Sequence, residues 1–256
     1  MSRGSEDQIV GFDRKIRLEW LDATAAWTAE GCPVGEIRSR LHDLLDGSVA
    51  GVKARANTVT VLVHVWVQVP AGLEPLRDEG LALLNDRRKR DRLPLHWGMC
   101  MATYPFFRSV ASAVGRLTAV QGTASLSQIT RRVTQRWGER STVTRAVQRV
   151  VRSLVLWGVL TEEDDRGVFA QAAKLRLQGA DSAGAWLLEA ALAEFGGAPR
   201  PLDALRNDAA LFPFSLEVPA KKLAARPGLE IHRQGLDKDM ILRLPHGGTA
   251  DDGLGT

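Results

Sequence analysis

The chain has 256 residues, a formal charge of +4 and 45% hydrophobic residues, enough for two domains or for one domain with appendages. Its two cysteines, Cys32 and Cys100, stand in no CxxC or Cys/His spacing, which argues against a disulfide framework or a zinc site. No metal or other cofactor is expected.

The first eleven residues, beginning MSRGSEDQ, are polar and read as disordered, without the apolar stretch of a signal peptide. Residues 12–30 read as a helix with Ile16, Trp20, Ala23 and Trp27 on its apolar face, broken by Gly31 and Pro33. A second helix follows from Pro33, striped by Val34, Ile37, Leu41, Leu44 and Leu45 and ended at Gly47. Residues 52–69 fit two periods. Valines at every second position from 59 to 69 suggest a strand, whereas Val59, Leu62, Val63 and Trp66 form a helical stripe that Pro70 stops. The helix is favoured, because a lone strand has no partner in the first 120 residues. His64 and Gln68 interrupt this run, which is too short to span a bilayer, so a cytoplasmic protein without membrane contacts is expected.

A helix over 73–84 leads to the basic run Arg87-Arg88-Lys89-Arg90 with Arg92, read as a solvated loop between Asp86 and Asp91. A longer helix over 97–121, bent at Tyr104-Pro105, completes a helical bundle spanning 12–121. Tyr104, Phe106 and Phe107 lie among Met99, Met101, Val110 and Val114, and His96 and Trp97 sit nearby, all read as core packing.

Residues 125–160 carry the strongest pattern. Leu126, Ile129, Val133 and Trp137 stripe one helix, with Ser125 or Ser127 as its cap and Gly138 as its stop. Three residues later Ser141 is placed to cap a second helix striped by Val143, Val147, Val150, Leu154 and Trp157. Arg145, Arg149 and Arg152 project from the opposite side of that helix, Arg131, Arg132 and Arg136 lie off the first stripe, and Arg140 falls in the turn between the helices. Seven arginines and one acid, Glu139, lie between Ser125 and Trp157, although lysine and arginine exceed aspartate and glutamate by only 34 to 30 in the whole chain. Val159-Leu160, the acidic TEEDDRG, then VFAQ and KLRLQ suggest a hairpin, making 122–180 a winged helix-turn-helix.

Ser182–Phe195 reads as a helix ended by Gly196-Gly197, and residues 181–245 as a small α+β unit or a degenerate second winged helix. Phe214, Leu216 and Val218 alternate, as do Leu229 and Ile231, and Gly235 is placed to turn the last two strands. The tail 246–256, HGGTADDGLGT, reads as disordered. The fold class is therefore mainly α. Catalytic signatures are absent: there is no P-loop, GxSxG, HExxH or dinucleotide fingerprint, and Asp237 and Asp239 lack a third ligand. A non-enzymatic protein with no small-molecule substrate is expected.

The order of parts resembles the BrxA-type small proteins of bacterial BREX phage-defence systems, which join a NusB-like helical bundle to a helix-turn-helix and bind DNA. The likeness rests on AxYPFF at Ala102–Phe107 and on the helix leading into SLSQITRRV, and it spans residues 12–180. From Leu202 onward there is no counterpart. The resemblance implies a non-catalytic DNA-binding component of a defence system. The residue pattern itself points to duplex DNA, with Arg145, Arg149 and Arg152 at the major groove. Arg131, Arg132, Arg136 and Arg140 would hold phosphates, and Ser141 and Thr142 would offer hydroxyls and helix N-terminal amides. The acidic Glu162-Glu163-Asp164-Asp165 favours an alternative, an adaptor docking onto other subunits of a complex; a third is RNA binding through the RRKR loop. Arginines forming one exposed surface favour nucleic acid; arginines paired by carboxylates favour the adaptor.

Overall fold

A computed structural model describes residues 10–88, 91–177, 182–234 and 238–243. The expected disorder of 1–11 and 246–256, the turn at Gly235, and Lys89, Arg90 and Asp237 therefore lie wholly or mostly outside the described residues. The protein is mainly helical, with short strands confined to the part of the chain after residue 122.

Six helices come first: α1 (Leu18–Ala29), α2 (Val34–Leu45), α3 (Val52–Trp66), α4 (Glu74–Asn85), α5 (Leu93–Thr103) and α6 (Pro105–Gln121). The α3 residues Val59, Leu62, Val63 and Trp66 are all buried, in keeping with the helical reading of the valine run. Two expectations need correction. The helix read over 12–30 begins only at Leu18, and its buried residues are Trp20, Leu21, Thr24 and Ala25. Phe12 and Ile16 are fully buried in the irregular segment before it. The reason is long-range: Ile16 N–H donates to Ser153 Oγ (2.9 Å) and Ile16 C=O accepts from Trp157 Nε1 (3.0 Å), groups that a helix would have taken into its own ladder. The bent helix over 97–121 is two helices. Tyr104 precedes Pro105 and is forced into an extended conformation (φ −128°, ψ 95°), which ends α5 and starts α6.

The rest comprises β1 (Thr123–Ser125), α7 (Leu126–Trp137), α8 (Ser141–Leu156), β2 (Leu160–Glu162), β3 (Val168–Gln171), β4 (Leu175–Leu177), α9 (Ser182–Leu192), β5 (Arg200–Pro201), α10 (Leu202–Arg206), β6 (Phe214–Leu216), α11 (Ala220–Ala224), β7 (Leu229–Gln234) and β8 (Lys238–Arg243). β2 and β3 form an antiparallel hairpin, and β1, which had no sequence signal, joins the far edge of β3 in the order β1-β3-β2. KLRLQ takes no part in that hairpin; β4 pairs in parallel with β6. β7 and β8 form a second antiparallel hairpin, joined by β5 in the order β5-β8-β7. A helix, a short strand, two helices and a hairpin follow one another from α6 to β3 and again, with β6 inserted between α10 and α11, from α9 to β8, and the two three-stranded sheets share one strand order.

Both halves share a single core that runs from Phe12 to Ile241. α5 and α9 are buried on almost every side and pack against each other, the behaviour of helices apolar all round. The Trp186 indole of α9 lies against Gly80 and Gly98 and donates to Leu76 C=O (2.9 Å). Trp97 meets Phe107, Trp157, Phe212 and Phe214 edge-to-face, with ring centroids 5.2, 6.0, 5.5 and 5.7 Å away. Two ion clusters tie the second half down: Arg108 to Glu194 and Asp208, and Arg226 to both Glu189 and Glu79 (2.6 Å each). His96, 1% exposed, accepts from Trp66 Nε1 at Nδ1 and faces Asp22 with Nε2 (3.0 Å). Burial pushes the Asp22 carboxyl up, but the hydrogen bonds and charges of His96 and Arg92 outweigh it and hold it below its ordinary value.

Gly115 of α6 marks a close approach between the halves: a Cβ there would stand 2.0 Å from the Ala209 carbonyl oxygen. Alanine at this interior position adds up to about 1 kcal/mol of helix propensity, while overpacking against backbone costs about 1–3 kcal/mol or more. Gly115→Ala is therefore expected to lower the urea-unfolding free energy by about 1–2 kcal/mol. Gly35→Ala, with nothing within 4 Å of its Cβ, leaves stability unchanged or raises it.

Candidate nucleic-acid interface

α7 starts on a full capping box: Ser125 Oγ accepts from Gln128 N–H (3.2 Å) and Gln128 Oε1 accepts from Ser125 N–H (2.9 Å). Ile129, Val133 and Trp137 are buried and Gly138 (φ 79°) ends the helix, a conformation that a residue with a Cβ rarely adopts. The turn is three residues long. One expectation changes here: Arg140, not Ser141, precedes the second helix, and Ser141 is its first residue with no capping hydrogen bond through a side chain. Val143, Val147, Val150 and Leu154 are fully buried and Trp157 nearly so, so the helix rests on the core along its whole length. Ser141, Thr142, Arg145, Gln148 and Arg152 are left on the outward face.

Beside this face α7, α8 and the β2–β3 hairpin enclose an open groove of about 800 Å³. Arg131, Arg140 and Arg166 line it with Ser127, Thr130, Ser141, Thr144 and Gln148, and Glu139 is the only carboxylate among its lining residues. The groove joins three guanidinium groups to a row of hydroxyls and one amide, the donor set that phosphate oxygens and base edges accept from. Thr130, Thr144, Gln148 and Arg166 were not singled out in the sequence. Gln148 shares the outward face of Arg145 and Arg152 by its spacing, so its exposure was legible; Arg166 was masked by the acidic run before it.

The sequence-predicted residues divide into three groups. Arg131, Arg140 and Ser141 line the groove, with Arg145 and Thr142 exposed beside it. Arg132 and Arg136 lie across α7 in a different cleft, where Arg136 pairs with Glu194 (2.9 Å). Arg149 and Arg152 are engaged within the protein. Arg149 Nη1 donates to Asp13 C=O (2.6 Å), and Arg152 binds Glu162 through both terminal nitrogens (2.5 and 3.2 Å) with its guanidinium 5.8 Å from the Phe169 ring centroid. The charge test thus gives a divided answer. Arg136, Arg149 and Arg152 have carboxylate partners; among the described residues Arg131, Arg132 and Arg145 have none.

Glu162 is consequently a brace and not part of the hairpin tip, where Glu163, Asp164 and Asp165 are exposed. Its hydrogen bonds from Arg152 and from Gly167 N–H (3.0 Å) hold its carboxyl below the ordinary glutamate value. No group of three or more His, Cys, Asp or Glu among the described residues is placed to hold a metal ion, and no described helix is long and apolar enough to cross a membrane. Comparison with protein-family models, with curated proteins and with solved structures yields no match.

A depressed folded-state pKa means that the brace is fully present above the ordinary glutamate value and is lost as the pH falls through the lower, folded one. Glu162→Gln is expected to speed amide exchange at Gly167 about two- to fivefold at neutral pH, the range of an exposed pair. Corrected for intrinsic rates, wild-type exchange measured by NMR converges on that of the variant in acid.

Proposed function

We propose that α6–β3 forms a winged helix through which the protein binds duplex DNA, without catalysing a reaction. The observation that carries this reading is the groove beside α8, which sets Arg131, Arg140 and Arg166 against a single carboxylate. Two features support it further. The order helix, strand, helix, turn, helix, hairpin with strands β1-β3-β2 is that of a winged helix, and α8 presents a polar face while its apolar face is fully engaged. Arg145 and Gln148 are the side chains proposed to meet base edges, since guanidinium pairs bidentately with guanine and an amide with adenine. Arg131, Arg140 and Arg166 would hold phosphates. Arg149 and Arg152 have a revised role, as braces that fix α8 against the Asp13 segment and the hairpin. Because exposed ion pairs contribute only about 0–1 kcal/mol, phosphates can displace these carboxylates, and the pairing does not preclude DNA.

The second reading, an adaptor docking on other subunits, is favoured by the exposed Glu163-Asp164-Asp165 tip, which would repel phosphate. The same strand order in α9–β8 supports a second winged-helix-like module. Its counterpart of α8 is α11, only five residues long, so we assign DNA contact to the first. A place in a bacterial phage-defence system is part of the proposal and rests on the resemblance in part order.

Fluorescence anisotropy with a duplex, a single strand and an RNA hairpin at several salt concentrations tests the reading. Duplex binding is expected to be strongest and salt-sensitive. Arg131→Ala should weaken all duplex sequences alike and flatten the salt slope by about one, and Arg145→Ala should cost about 1–3 kcal/mol. Binding of the duplex unchanged in both variants, or no binding of any probe, favours the adaptor.

A further inference from the structure

Across α7 from this groove lies a second basic cleft, of about 530 Å³, between α6, α7 and the turn at Ala193–Phe195. It is lined by five arginines, Arg108, Arg116, Arg132, Arg136 and Arg200, and by two carboxylates, Glu194 and Asp208. The carboxylates are already committed. Both bind the buried Arg108, and Glu194 also takes Arg136. Their side chains are only 19% and 18% exposed and are held at the cleft wall by these arginines. Arg116, Arg132 and Arg200 reach the cleft with no carboxylate partner among the described residues. Arg200 is held in place from below, its guanidinium 4.0 Å from the Phe195 ring centroid, while Arg108 lies 5.1 Å from the same ring. Ordinary surface arginines are mobile and scattered. Here three come from three separate elements, α6, α7 and β5, and converge on one concavity.

We propose that this cleft is a second phosphate seat, which takes the sugar–phosphate backbone of the flank of the duplex lying on α8. The inference rests on the DNA-binding reading above. Charge complementarity selects a polyanion, and continuity selects the same duplex: Arg131 and Arg132 are neighbours on α7 that face the two opposite grooves. One helix width, about 10–12 Å, separates the two seats, or about three base-pair steps of 3.4 Å. A duplex must therefore extend beyond α8, or bend toward α7, to occupy both.

This geometry predicts a dependence on length. Affinity and salt slope are to be measured by anisotropy for a hairpin-closed duplex of about 6 base pairs, which when centred on α8 reaches only about 10 Å to either side, and for a duplex of about 28 base pairs, with wild type and with Arg116→Ala/Arg132→Ala/Arg200→Ala. The triple variant is expected to bind the long duplex at least about tenfold more weakly, with a slope shallower by about two to three, and to bind the short duplex as wild type does. Arg145→Ala should weaken both lengths. Circular dichroism and Tm check the fold, and Arg116→Gln/Arg132→Gln, which keeps the Arg200–Phe195 contact, should give the same length-dependent loss with a slope change of about two if the triple variant is unstable. Unchanged binding of the long duplex by the variants overturns the cleft assignment while leaving the α8 reading intact. Equal loss on both lengths overturns the flank assignment. If wild type binds neither duplex, the DNA-binding reading itself fails and the cleft proposal falls with it.

Discussion

Helix α8 is held to the irregular segment Asp13–Ile16 by three hydrogen bonds, and the placement of its outward face depends on that clamp. Ser153 Oγ accepts from Ile16 N–H, Trp157 Nε1 donates to Ile16 C=O, and Arg149 donates to Asp13 C=O. The first two are buried, where leaving a backbone group unpaired costs about 1–3 kcal/mol, so the register of α8 against the bundle is strongly specified. From Trp157 the connection continues through Trp97 to Phe212 and Phe214. The helical bundle, the α7–α8 pair and the second half are thereby joined in one core. The outward face of α8 is presented by a rigid support, the condition for a surface that must match a partner with fixed geometry.

The arginines separate according to the work that burial allows them. Arg108 and Arg226 are buried against two carboxylates each and fasten the second half to the bundle. Removing one partner of such a cluster would strand a buried charge, which makes these groups structural. Arg149 and Arg152 are half-exposed and orient α8 and the hairpin. Arg131 and Arg145, and Arg132 across α7, remain without a carboxylate among the described residues. A modest net charge thus conceals a local excess, because several acids fasten the core or sit at the hairpin tip while guanidinium groups unpaired among the described residues collect on both sides of α7.

Elements with their own period were legible in the sequence. α2, α7 and α8 carry stripes at helical spacing with a proline, serine or glycine at their ends, and those signals are local. The valine run of α3 satisfied two periods at once, and only the lack of a strand partner favoured the helix. What could not be read depends on distant residues. Asp13–Ile16 avoids the helix because α8 takes its backbone groups, β4 leaves the hairpin because its partner β6 lies nearly 40 residues away, and β1 is too short to show alternation. The same holds at the candidate site. That Arg131 and Arg145 face outward followed from the wheel, but the partners of Arg149 and Arg152 belong to other elements. Arg116 and Arg200 gave no signal because their cleft exists only once three elements meet.

The most direct test of the central claim is an arginine side-chain NMR titration of the intact protein with a short duplex, following each Nε–H resonance. The account predicts that Arg131, Arg140, Arg145 and Arg166 shift together at low salt and return as salt is added, while Arg108 and Arg226 stay fixed. A spectrum in which none of these four moves, or in which a shift appears only in a complex with a protein partner, would contradict it.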